Sequence, residues 1–371
     1  MRHLSLLLLA MSTTLFAADP APPAYPLWDN HESVADYAKR VNLPPTKTLD
    51  LGNGVKMELV LIPAGKFIMG TPEPQAFATL GYGMNVNFSR MLFAGCALPL
   101  LVILAFVLIR AIRNKRRPQL SLGELLMLTI AAGVCLWSGM YWRGSILALE
   151  AAEREDAAAR ARFRTAPHDE MPAHPVTITQ PFYMGKFSVT QEQYEKLIAL
   201  NLSQFKGRDN PVEMISWNDA HEFCEKLTEQ TKQTVRMPTE AEWEYACRAG
   251  TTTAYHSGDE ESDFARVAWY APNSKNTMHP VGQKEANDFG LYDMHGNVSQ
   301  WCQDKWDANY YSNSPIEDPQ GPAQGYLRVF RGSAWNSSAV SSAVRWSNDP
   351  NYRVSTFGFR VVVVGDWFKT P

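Results

Sequence analysis

Asn287-Asp288-Phe289-Gly290-Leu291-Tyr292-Asp293-Met294-His295-Gly296-Asn297-Val298 is the stretch on which the reading turns. Taken alone it is a tight turn fixed by Gly296 and Asn297, residue types that tolerate left-handed backbone. Around it, from Ala173 onward, the chain reads as short elements with many turns and aromatics. Capping boxes, in which a Ser or Thr caps the first turn and an acid or amide three residues later reaches back, mark helix starts at Thr190 with Gln193, Ser216 with Asp219 and Thr239 with Glu242. The helix after Ser216 carries Trp217, Ala220, Cys224 and Leu227 on one stripe, which predicts a core face. Strand-like runs cover 58–62, 176–178, 326–330 and 358–364, while 255–287 reads mostly as loop. The texture is α+β, and spacing alone does not name the fold.

The rest of the 371 residues has a different character. A net charge of −3 gives no basic footprint for nucleic acid. Met1-Arg2-His3, an apolar run over 4–16 and Ala17-Ala18 predict a signal peptide over 1–18. Apolar runs over 91–109 and 120–142 are each long enough to span a bilayer and lack a polar face. Between them, over 110–119, lie Arg110, Arg113, Lys115, Arg116 and Arg117. The positive-inside bias makes that loop cytoplasmic and both flanks exported. Export by the signal peptide gives the same topology. The expectation is a protein of the inner (cytoplasmic) membrane, anchored by a two-helix hairpin, with its globular part on the periplasmic side. An Ala-, Glu- and Arg-rich segment over 143–168 predicts a solvated helical stalk.

The motifs carry more. Glu58-Leu59-Val60-Leu61-Ile62-Pro63-Ala64-Gly65-Lys66-Phe67-Ile68-Met69-Gly70, Pro172-Ala173-His174-Pro175-Val176, Arg236-Met237-Pro238-Thr239-Glu240-Ala241-Glu242-Trp243, the Asn287–Val298 stretch, Arg331-Gly332-Ser333 and Phe357-Gly358-Phe359-Arg360 follow in order. Together they resemble the formylglycine-generating-enzyme, or sulfatase-modifying factor, family. The resemblance implies an irregular, C-type-lectin-like α+β domain. It also implies that one domain is split: 19–70 supplies an N-terminal segment and first strand, 169–371 the main part, and the hairpin interrupts them. Arg117-Pro118-Gln119-Leu120-Ser121-Leu122 resembles a membrane segment frequent in planctomycete proteins.

Family enzymes of this type hold copper with two cysteine thiolates shortly after the Gly-Ser, since a cuprous ion needs soft ligands. Here that stretch reads Gly332-Ser333-Ala334-Trp335-Asn336-Ser337-Ser338-Ala339-Val340-Ser341-Ser342, without cysteine. Copper is therefore not expected, and formylglycine generation is not expected either. No catalytic residue is assigned. A structural calcium ion is implied instead, held by Asp293, the carbonyls of Gly296 and Val298, and Gln300, all hard oxygen donors. Gln300 departs from the family's usual glutamate. Trp335, Asn336 and Arg345 fall on the family's active-site strip, where an aromatic beside polar groups suits a sugar or peptide ligand. Cys224, Cys247 and Cys302 lack the C-terminal partners that the animal enzymes provide, and Cys224 reads as a buried free thiol. The leading expectation is a non-catalytic binding or scaffold module. The alternatives are an oxidoreductase of the wider family, formylglycine-generating or pyoverdine-type, and a structural envelope component.

Overall fold

The computed structural model describes residues 25–71 and 170–365. The expected signal peptide, both apolar runs, their basic loop and the stalk lie outside the described residues. The two described stretches belong to one compact unit, and strand pairing joins them. Ser33 caps α1 (Val34–Arg40) by accepting from the Asp36 amide. β1 (Thr46–Asp50) and β2 (Lys56–Ile62) form an antiparallel hairpin, and β3 (Gly65–Met69) follows. After the break come β4 (His174–Ile178) and β5 (Phe182–Gly185). β5 pairs with β2 in the register Leu61 to Tyr183, and β4 pairs with β3 in the register Phe67 to Val176. The N-terminal stretch thus supplies three strands and a helix to the domain, more than the single strand expected.

All three capping boxes are present. They open α2 (Gln191–Leu197), α3 (Trp217–Thr231) and α4 (Glu240–Arg248). β6 (Thr234–Arg236) lies between the last two. Trp217, Ala220, Phe223, Cys224 and Leu227 of α3 are buried, as the stripe predicts. The span read as loop contains α5 (Glu261–Val267), whose N-cap is Glu260 rather than a Ser or Thr, so no strong start signal marks it. Short β7 (Ala268–Trp269) and β8 (His295–Gly296) run parallel to each other. β9 (Ser299–Lys305), β10 (Arg328–Arg331), β11 (Arg345–Asn348), β12 (Phe357–Phe359) and β13 (Val362–Val364) complete the described elements.

Two main sheets result, ordered β1-β2-β5-β13-β6 and β11-β10-β9-β12. The run read as one strand over 358–364 is two, divided between the sheets. The break falls at Arg360, whose buried guanidinium needs acceptors that a strand interior would not give it. It finds them in the carbonyls of Gly185 and Tyr292 and in the Gln300 amide. The first sheet is covered on both faces. Leu59 and Leu61 join a core with Tyr37, Tyr183 and Phe223, whereas Val60 and Ile62 join another with Phe182, Met184 and Trp243. This explains why the second half of β2, Leu59 to Ile62, reads as an unbroken apolar run instead of an alternating one.

Candidate functional site

The Asn287–Val298 stretch folds as turns, with positive φ at Asp293, Gly296 and Asn297. A Cβ on Gly296 would collide with the Trp269 backbone, so that position requires glycine. The Asn297 amide exchanges hydrogen bonds with the backbone of His279, at 3.1 and 2.9 Å. Its carbonyl accepts from the Trp335 amide at 3.0 Å. The turn therefore positions the start of the 333–342 strip.

Of the four expected calcium donors, Asp293 and Gln300 would act through their side chains. Asp293 is buried; its Oδ2 accepts from the Gly282 amide at 2.8 Å, and its Oδ1 has no partner. An orphaned buried carboxylate oxygen is what a cation site would present. Burial pushes the Asp293 carboxyl up to about 6, against the Gly282 amide and the Arg360 charge. Gln300, however, is committed elsewhere. Its Oε1 accepts from Trp243 Nε1 at 2.9 Å and Arg360 Nε at 3.1 Å, and its Nε2 donates to the Asp293 carbonyl at 2.8 Å. Both acceptor directions of the amide oxygen are filled, so Gln300 is a structural strut rather than a fourth ligand. A cation here would draw on Asp293 Oδ1 and the carbonyls of Gly296 and Val298.

Beside this loop lies a buried ionic cluster. Arg331 pairs with Glu244 and reaches Glu240 at 3.4 Å. Arg345 grips Glu240 with two bonds of 2.7 and 2.8 Å. Arg248 bonds Glu244 at 2.9 Å, and Glu244 also accepts from the Gly70 amide at 3.0 Å. Burial alone would raise the Glu244 carboxyl, but Arg331 and Arg248 hold it below the ordinary range. Asp304 completes the group by accepting from the Glu240 amide, the first of α4, at 2.8 Å. Burial and the neighbouring Glu240 push its carboxyl up to about 8. The cluster ties α4, β10, β11 and the end of β3 together. It also corrects one sequence expectation: Arg345 is fully buried on Glu240 and does not face a ligand.

Trp335 and Asn336 remain at the surface. Trp335 is half-buried, donates to the Ser355 carbonyl at 3.2 Å and packs edge-on against Phe205 at 5.2 Å. Asn336 is exposed. Ser333 and Ser342 are buried, with hydroxyl oxygens lacking partners. The cysteines Cys224, Cys247 and Cys302 are unbridged and buried, as read for Cys224. Burial pushes the Cys247 thiol up to about 12 and raises the other two as well. Cys247 Sγ lies 3.6 Å from His295 Nε2, a contact between buried groups whose burial favours the neutral thiol and neutral imidazole. Three isolated, protonated thiols do not fit a cuprous ion, which takes thiolates. Sequence reading also missed Trp346, Tyr326 and Tyr352, all well exposed.

An irregular α+β fold with these turns and this Arg–Glu core defines a formylglycine-generating-enzyme-like domain. The family described as Sulfatase-modifying factor enzyme 1-like domain matches residues 152–364, and the chain belongs to that family. Similar proteins include the serine/threonine-protein kinase pkn1 of Chlamydia pneumoniae, 33% identical over 222 residues, covering 52% of this chain and 34% of the relative. The formylglycine-generating enzyme of Streptomyces coelicolor is 35% identical over 176 residues, covering 43% of this chain and 54% of the relative. The chaperone protein LppX of Paenibacillus barcinonensis is 31% identical over 235 residues, covering 49% and 79%. The chain thus spans about a third of the length of the kinase it matches. Among solved structures, Treponema denticola variable protein 1 superposes with a TM-score of 0.58 at 21% identity, covering 86% of this chain and 99% of that one. PvdO from Pseudomonas aeruginosa gives 0.55 at 22%, covering 86% and 98%. These two likenesses show the fold.

Proposed function

We propose that this protein is a non-catalytic binding module of the sulfatase-modifying factor family, displayed on the exported side of the inner membrane by a two-helix hairpin over 91–142. One observation carries the reading. The strip from Gly332 to Ser342 offers serine, asparagine and tryptophan where copper chemistry needs a pair of thiolates, and Cys224, Cys247 and Cys302 are buried and held protonated. What the strip does offer is a recognition surface, with the half-buried Trp335 ring beside the exposed Asn336. A structural calcium ion at Asp293 belongs to the same reading. Its support is the buried, orphaned Asp293 Oδ1, and its role would be to fix the turn that places Trp335.

Anaerobic titration of the purified full chain with cuprous ion, against a competing chelator, tests the reading. The expected result is no tight one-to-one complex. A tight complex lost in Cys302→Ser would overturn it.

A further inference from the structure

We infer that the exposed edge of the β10–β11 face that carries Phe330 and Trp346 is a binding platform for a saccharide carrying a carboxylate or sulfate group. This rests on the binding-module reading and gives that module a ligand class and a second surface.

The strand register places the residues. Side chains alternate along a strand, so Arg328 and Phe330 share one face of β10, and Tyr326 lies in the bend that leads into it. Trp346 stands opposite Phe330, and Asn348 opposite Arg328. β11 is the edge strand of its sheet, and the face opens to solvent there: Trp346 is 42% exposed and Tyr326 61%. Inward, the same row continues through Trp301, which is fully buried. The row thus runs from the core to the surface and ends on an exposed indole. Tyr352, 47% exposed, adds another ring; it packs against Phe357, which in turn packs on Phe330.

The polar groups point to the ligand. Tyr326 donates to Asp349 at 2.9 Å, and Asn351 lies within 3.4 Å of the same hydroxyl, so the rings alternate with amides and a carboxylate. A sugar has an apolar C–H face and a polar edge, and separated rings with hydrogen-bonding groups between them match it. The charge preference comes from Arg328. Its guanidinium stacks 3.7 Å over the Trp217 ring and donates to the Gln303 carbonyl at 2.9 Å. No carboxylate pairs with it among the described residues, unlike Arg331, Arg345 and Arg353. A half-buried guanidinium stacked on an indole, with no carboxylate within ion-pair distance among the described residues, recognises a planar or tetrahedral oxyanion well.

The test uses the full chain in detergent and three oligosaccharides of equal length: a galacturonate, a sulfated galactan and a neutral galactan, titrated by calorimetry. The two anionic probes are expected to bind at least about tenfold more tightly than the neutral one, and less tightly as salt rises. Trp346→Ala, at an exposed edge, is expected to lose binding to all three. Arg328→Gln is expected to remove the preference for anions, with an unchanged melting curve as its folding control. Absence of binding at millimolar probe, equal binding of neutral and anionic probes, or loss in Trp335→Ala with retention in Trp346→Ala would overturn the inference. None of those results would touch the binding-module reading, which stands or falls on copper and turnover.

Discussion

Asp304→Asn is expected to stabilise the protein at neutral and alkaline pH. Asp304 is buried at the N-terminus of α4, where its Oδ2 accepts from the Glu240 amide. An asparagine oxygen can accept the same bond, so the substitution removes the charge and keeps the contact. Burial and Glu240 raise the folded carboxyl from 3.8 to about 8. A raised folded value means that the native state binds the extra proton. The associated stability is fully present below about pH 4 and is lost as pH climbs through about 8. Four units at about 1.36 kcal/mol each set a ceiling of about 5 kcal/mol; relaxation and water entry reduce the usable part to about 2–3 kcal/mol. The assay is urea unfolding followed by tryptophan fluorescence at pH 5.5, 7 and 8.5. The gap between Asp304→Asn and the wild type should widen across that range, so that the variant leads by about 2 kcal/mol or more at pH 8.5. A gap independent of pH, or a variant weaker throughout, would refute the buried neutral acid.

Arg331→Met should cost about 3–5 kcal/mol, because it leaves Glu244 and Glu240 short of a buried partner; a denaturation midpoint within 1 kcal/mol of wild type would show that the cluster does not hold α4 to β10. Chelator should lower the melting temperature of the wild type and leave Asp293→Ala unchanged, since an ion bound only to the native state stabilises it. An identical wild-type melting curve with and without chelator removes calcium. An alkaline-phosphatase fusion at Asn114 should be inactive and one at Pro371 active. The reverse pattern would discard the proposed topology.

What the sequence made legible was whatever depends on local chemistry. Thr190, Ser216 and Thr239 announce their helices because capping is decided within four residues, and the stripe on α3 shows because a helix face repeats. α1 carries the same kind of mark, Ser33 with Asp36, and went unread, whereas β1 has no local mark because it rests on β2. The candidate site was half legible. The motif located the turn around Asp293, and the strip that follows Ser333 carries Trp335 and Asn336 at the surface. Arg345 was misplaced because a residue's number on a strip does not tell which side of the sheet its side chain takes, and the pairing of Arg331 with Arg345 puts both inside. Gln300 looked like a ligand until Trp243 and Arg360, 57 and 60 residues away, took its oxygen.

The central claim concerns chemistry at the thiol-free strip, and turnover tests it most directly. A peptide bearing the sulfatase-type cysteine motif is incubated with the full chain, copper and oxygen, and its mass is followed. The expected spectrum keeps the thiol, with no aldehyde at any time. Aldehyde product that disappears in Cys302→Ser would show that one buried thiol suffices, and the protein would be an oxidase after all.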